Sequence, residues 1–206
     1  MIRKAIITLL TVCLALSGTD AFAQLSSLEG RWIAGGGYIT FNAAGSQADK
    51  LKDMPAMPGF YVGVSYDYAF STIEGLSFEP GAYIMHFGKT YKFGTATEEK
   101  PYHSNYLSIP AHLKYTFPAG DVVGLGVFTG PRLNLGGAGN MFSVGDTYPG
   151  LRPVDAQWDL GLVVELQQAV ILRGGYNTGL TNGFRDKKGY GKVHREGYYV
   201  GVGFVF

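Results

Sequence analysis

The chain has 206 residues, 17 Lys plus Arg against 16 Asp plus Glu, and a formal net charge of +1 at pH 7. That length suits one domain, and so balanced a charge gives no global field to draw in nucleic acid or an acidic substrate. Composition is instead crowded with 31 Gly, 14 Tyr and 13 Phe, while a single cysteine excludes both a disulfide framework and a thiolate metal centre.

The N-terminus comes first. Arg3 and Lys4 precede the apolar run 5–16, and Ala21-Phe22-Ala23 then supplies a small-x-small cleavage site. Residues 1–23 therefore read as a signal peptide and residues 24–206 as the mature domain, with 24–29 as a short lead-in. The run is too short for a spanning helix, which needs roughly 20 apolar residues to cross about 30 Å of hydrocarbon. Cys13 lies in the middle of that run rather than after a small-residue box at its end, so it does not mark a lipid anchor.

Eight strands are legible after that point. Residues 30–42 form the first. The second, 60–70, sets Phe60, Val62, Val64, Tyr66, Tyr68 and Phe70 against Tyr61, Gly63, Ser65, Asp67 and Ala69. The third covers 76–91. In the fourth, 106–117, Leu107, Ile109, Ala111, Leu113, Tyr115 and Phe117 oppose Tyr106, Ser108, Pro110, His112 and Lys114. The fifth spans 122–135. The sixth, 157–166, sets Trp158, Leu160, Leu162, Val164 and Leu166 against Gln157, Asp159, Gly161, Val163 and Glu165. The seventh is 169–179, and the eighth, 198–206, puts Tyr198, Val200, Val202, Phe204 and Phe206 opposite Tyr199, Gly201, Gly203 and Val205.

Period-two alternation marks strands, but one face here is large and apolar and the other small or polar. Glycine is weak strand material unless space is short, and space is short inside a small barrel. Pro80, Pro110 and Pro131 fall within strands and predict bulges or local breaks there. The connections alternate strictly: 71–75, 118–121 and 167–168 are short, whereas 43–57, 92–102, 136–153 and 180–195 are long. Short periplasmic turns and long extracellular loops belong to an outer-membrane barrel. The expected fold is thus all-β, an eight-stranded antiparallel up-and-down transmembrane β-barrel, and its even strand count puts both mature termini in the periplasm.

The segment Asn105-Tyr106-Leu107-Ser108-Ile109-Pro110-Ala111-His112-Leu113-Lys114-Tyr115 is similar to the "YLxIPxxLKY" strand of the outer-membrane protein β-barrel family common in Bacteroidetes, often labelled porin-family. More distantly the chain resembles the OmpA transmembrane domain and OmpX, and its strand type is also similar to that of PorT of the type IX secretion system. The terminal strand, with Tyr198, Phe204 and Phe206, resembles the barrel-assembly signal. The resemblance implies insertion into the outer membrane of a Gram-negative cell by the barrel-assembly machinery; it does not imply one shared activity.

Alternation places Asp67, Glu79, Lys114, Asp159, Glu165 and Arg173 on the inward face, with Arg132 nearer the extracellular end. Charges in a narrow lumen are costly unless paired, so an ion-pair network that plugs the barrel is expected, with Lys114 and Arg173 each beside carboxylates. The alternative is a narrow ion path. For catalysis the candidates are His86, His103, Ser104 and His194. His103 and Ser104 point to opposite faces, and although His86 could approach Ser104, no oriented acid completes a triad. No histidine spacing suits a metal, and the runs Gly35-Gly36-Gly37 and Gly136-Gly137-Ala138-Gly139 lack the Lys-Ser/Thr and helix of a phosphate loop. No catalytic residue, metal or cofactor is assigned.

The fourth long loop carries Arg185, Lys187, Lys188, Lys192, His194 and Arg195, and its cations could pair with lipopolysaccharide phosphates. Tyr66, Tyr68, Phe70, Tyr115, Phe117 and Phe206 read as an interfacial aromatic girdle. The expected protein is a monomeric, non-enzymatic barrel with a structural or surface-interaction role, in contact with outer-membrane lipid and lipopolysaccharide and with no nucleic-acid partner. A narrow passive porin is the alternative, ahead of a lipid A-modifying enzyme or a secretion accessory barrel.

Overall fold

A computed structural model describes residues 30–45, 56–92, 99–117, 122–136, 152–182 and 193–206. The signal peptide and lead-in lie outside these residues. Eight strands follow in chain order: β1 (Gly30–Ala44), β2 (Met57–Ala69), β3 (Leu76–Lys92), β4 (Glu99–Phe117), β5 (Val123–Gly136), β6 (Val154–Leu166), β7 (Val170–Gly179) and β8 (His194–Val205). Each pairs antiparallel with the next, and β8 closes on β1. The architecture is the up-and-down barrel that the alternation predicts.

Several strands run past their expected ends. β4 begins at Glu99, β6 at Val154 and β8 at His194, all on the long-loop side. The apolar outer face fades there, so the sequence signal fades too, but the backbone ladder continues wherever a partner strand supplies hydrogen bonds.

The barrel's stagger can be followed residue by residue. Partners run from Gly30 to Tyr68, Phe78, Leu113, Thr129, Leu160, Tyr176 and Tyr198. Tyr198 bonds back to β1 at Thr40, ten residues above the starting point. Such a shear tilts the strands by roughly 35–45° and leaves a lumen that side chains can fill. Gly201 shows how tight the inside is: a Cβ there would lie 2.0 Å from the Tyr61 hydroxyl. The small face of the strands is the room that the inward tyrosines occupy.

The prolines break the ladder without bulging it. Pairing lapses between Ser65↔Gly81 and Tyr68↔Phe78, between Pro80↔Ala111 and Tyr83↔Ser108, and between Pro110↔Arg132 and Leu113↔Thr129. In all three the register is the same on both sides, so no extra residue is inserted: of the expected bulges or local breaks, the structure has breaks. A missing N–H accounts for each. A fourth lapse lies in the closing seam, between Ile39↔Tyr199 and Asn42↔Glu196. There the Thr40 hydroxyl accepts from Tyr198 N at 3.0 Å and donates to Tyr198 O at 3.2 Å, standing in for a ladder bond.

Short connections close the opposite end. Gly75 in the β2–β3 turn has φ +80°, and Gln167 and Gln168 between β6 and β7 have φ 50° and 56°. Ala169 N donates to Leu166 O at 3.0 Å across that two-residue turn. The outer wall is apolar, with Val62, Ile84, Leu160, Leu162 and Val200 all exposed. Trp32, Phe78, Phe117, Phe204 and Phe206 ring its short-turn end, where Trp32 meets Tyr66 edge-on with centroids 4.9 Å apart, and Tyr38, Phe60, Trp158 and Tyr198 ring the other. Phe70 lies just beyond β2, in the turn at the barrel mouth.

Candidate functional site: a filled, charge-paired lumen

Inward positions of the strands stack charged and aromatic groups from one mouth to the other. At the short-turn end Lys114 Nζ donates to Asp67 Oδ2 at 2.6 Å and to Glu165 Oε1 at 2.8 Å. Arg31 lies against the same carboxylates, with Nη2 3.0 Å from Asp67 Oδ2 and 2.6 Å from Glu165 Oε2. Four strands, β1, β2, β4 and β6, meet in this cluster. Next comes Glu79, which accepts from Arg173 Nη2 at 2.8 Å and from Ser65 Oγ at 2.6 Å; the Tyr83 hydroxyl donates to Ser65 in turn.

Above it, Asp159 Oδ2 receives Arg132 Nε at 2.8 Å and faces His112 Nε2 at 2.7 Å. The Arg132 guanidinium also lies over the Tyr199 ring, 4.9 Å from its centroid. Nearest the long loops, Arg195 Nε donates to Asp155 Oδ2 at 3.0 Å, and the guanidinium stacks 4.5 Å from the Tyr106 centroid. Asn134 and Thr181 complete the shell around Asp155. Tyr61, Met85, Phe128, Val163 and Ile171 pack between these levels.

Among the described residues, Arg31, Lys114, Arg132, Arg173 and Arg195 thus each have a carboxylate partner. Burying such charges is strongly unfavourable when either partner is missing, and stacking guanidinium groups on aromatic rings adds favourable contact where water is excluded. The whole set holds its geometry because the strands that carry it are closed into a ring.

All seven residues expected in the network, Asp67, Glu79, Lys114, Arg132, Asp159, Glu165 and Arg173, face the lumen, and each touches an opposite charge. Three further charged members, Arg31, Asp155 and Arg195, were not read from the sequence. Asp155 and Arg195 continue the inward phase of Gln157–Asp159 and Gly197–Tyr199, so extending each alternation outward would have found them. Arg31 shares the phase of Ile33, but the triple glycine after it obscures that pattern.

Arg195 requires a correction. It is a β8 residue only 2% exposed and bound to Asp155, so it is not part of a loop surface for lipopolysaccharide. Its neighbour His194 also belongs to β8. Arg185, Lys187, Lys188 and Lys192 lie outside the described residues, as does the side chain of His103. The proposed approach of His86 to Ser104 is likewise corrected. His86 pairs with Asn105 Oδ1 at 2.6 Å on the outer face, whereas Ser104 is fully buried on the inner one. Among the described residues no group of three or more His, Cys, Asp or Glu side chains is placed to hold a metal ion.

A closed sheet with an apolar, aromatic-banded outside and a polar, paired inside is a membrane-spanning β-barrel of the outer-membrane type. Residues 9–206 match the model of the outer membrane protein beta-barrel domain, and the chain belongs to that family. It therefore resides in the outer membrane with its termini on the periplasmic side. No curated protein matches the sequence. Among solved structures it is similar to Ail, the attachment invasion locus protein of Yersinia pestis, in complex with the heparin analogue sucrose octasulfate. That match has 13% identity and a TM-score of 0.51, over 86% of this chain and 99% of that one. The outer membrane enzyme PagL is similar at 14% identity and a TM-score of 0.52, over 85% and 99% respectively. These likenesses show the fold.

Proposed function

We propose that the protein is a sealed barrel with a structural or surface-interaction role, neither an open porin nor an enzyme. The observation that carries this reading is the lumen itself. Charged pairs and aromatic side chains occupy it at successive heights, and an eight-stranded barrel has no spare width for a solute beside them. The fold serves an attachment protein in one relative and an enzyme in another, so fold alone does not choose between roles. The separation of His86 from Ser104 weighs against the one nucleophile arrangement that the sequence offered.

The partners that go with this reading are lipid along the outer wall, lipopolysaccharide at the extracellular end through Arg185, Lys187, Lys188 and Lys192, and the barrel-assembly machinery during insertion, recognising the strand that carries Tyr198, Phe204 and Phe206. In planar bilayers the purified protein is expected to give no stable conductance steps. Reproducible steps that change on Arg173→Ala would replace the sealed reading with that of a narrow pore. Lipid A mass spectra from cells with and without the protein are expected to be identical, and a mass difference would restore the enzyme.

A further inference from the structure

The outer wall carries one charge that contact with acyl chains does not explain. Among the described residues, Glu196 is the only Asp, Glu, Lys or Arg side chain that the strands turn toward lipid; Arg195 and Gly197 on either side of it are buried in the lumen. Its Oε2 accepts from the Tyr176 hydroxyl at 2.5 Å, and no cation among those residues pairs with it. Charges on the lipid face cost most at the bilayer midplane and little near the interface, so Glu196 belongs at headgroup height.

Its neighbours make it part of a surface. The strand register sets Trp158, Thr178, Glu196 and Asn42 opposite one another on β6, β7, β8 and β1, in one row across four strands. All four point outward, since Gln157, Asn177, Arg195 and Phe41 beside them are buried. With strands about 4.8 Å apart, the row is roughly 15 Å long. One row nearer the short-turn end, Tyr176 and Tyr198 pack together with ring centroids 5.0 Å apart, and Tyr198 is 65% exposed. The Trp158 N–H is already spent on Thr129 Oγ1 at 2.8 Å, which leaves the indole ring for contact. A carboxylate, an amide and a hydroxyl thus stand in line above and beside aromatic faces.

We infer that this row binds the disaccharide headgroup of lipid A in the outer leaflet, its ring faces on Tyr198 and Trp158 and its hydroxyls on the Glu196 carboxylate and the Asn42 amide. Hydroxyls that donate to an ionised carboxylate make stronger bonds than neutral pairs do, and tyrosine and tryptophan settle at headgroup level. Other occupants fit less well. A phosphate meets the like charge of Glu196, and calcium takes about six to eight oxygen ligands where this row offers a single carboxylate. The site rests on the surface-interaction reading above and deepens it: the wall takes the sugars and leaves the phosphates to the loop cations.

The test uses the full barrel, isotope-labelled at tryptophan and held in phosphatidylcholine nanodiscs, with monophosphoryl lipid A added at rising mole fraction. The chain has two tryptophans, Trp158 in the row and Trp32 at the short-turn end. One indole N–H therefore reports the site in NMR spectra and the other reports the bilayer. A saturable shift at Trp158 with Trp32 unmoved is expected. Glu196→Ala should raise the half-saturation point about tenfold or more, as loss of a hydrogen bond to a charged group does, and Asn42→Ala roughly two- to tenfold. Phosphatidic acid, a phosphate without sugar, should give no saturable shift, and EDTA should leave the lipid A shift in place. No saturable shift at Trp158, an equal shift with phosphatidic acid, or loss of the shift with EDTA would each overturn the sugar site. A shift that survives Glu196→Ala and vanishes in the double variant Lys187→Ala with Lys188→Ala would overturn it too, with the loop contact left standing. The reverse pattern supports the wall site and counts against the loop.

Discussion

Lys114 is the residue on which the lower cluster turns, because its ammonium bridges carboxylates from β2 and β6 across the lumen. Replacing it by methionine keeps the bulk of the side chain and leaves Asp67 and Glu165 sharing only Arg31. Loss of one partner of a buried pair costs about 3–5 kcal/mol, so Lys114→Met is expected to lower the urea midpoint of the folded band clearly. The double variant Lys114→Met with Asp67→Asn should recover part of the loss; no recovery would mean that the effect is packing, not charge. This cluster was readable in the sequence because each member sits at an inward position of a strongly alternating strand. Arg195 was not, because it lies where the outer face ceases to be apolar and the neighbouring residues look like a polar loop. Burial there comes from Asp155, two strands away across β7, and from the Tyr106 ring, which reaches Arg195 from β4 across the lumen.

Among the elements, the β6–β7 turn and the proline-bearing wall respond to different changes. Gln167 and Gln168 both adopt left-handed backbone, which costs an L-residue roughly 1–2 kcal/mol and which Asn-Gly accommodates. Gln167→Asn with Gln168→Gly should therefore raise stability by about 1 kcal/mol or more, measured as a higher urea midpoint; an unchanged or lower midpoint would argue against strain in the turn. In the wall, three consecutive strand pairs from β2 to β5 each lose part of their ladder, whereas β5 to β8 pair without interruption. Amide exchange in micelles should be faster at Gly81, Ala82, His112 and Gly130, beside the breaks, than at Gly161, Gly174 and Gly175 in the unbroken wall. Equal protection would show that the missing donors do not loosen the sheet. Prolines in the sequence announced these interruptions; that they would fall on neighbouring strand pairs without shifting the register depends on the pairing itself.

For the molecule as a whole, strand number and inward phase followed from local pattern, since a strand that faces lipid on one side repeats every two residues; the strict alternation of short and long connections did not, because β3 and β4 pair out to Lys92 and Glu99 and leave between them a connection no longer than the one between β2 and β3. Unboiled and boiled samples of the purified protein should migrate differently on a gel, and a single position for both would argue against a closed barrel. The lumen pairs add a mechanical consequence. Glu79 on β3 is tied to Arg173 on β7, halfway around the ring, and Arg31 and Lys114 tie β1 and β4 to β6. These contacts act like the spokes of a wheel, joining points of the rim that the hydrogen-bond ladder leaves independent. A hollow cylinder flattens under sideways pressure from its surroundings; one braced across its interior, once along the full diameter, stays round.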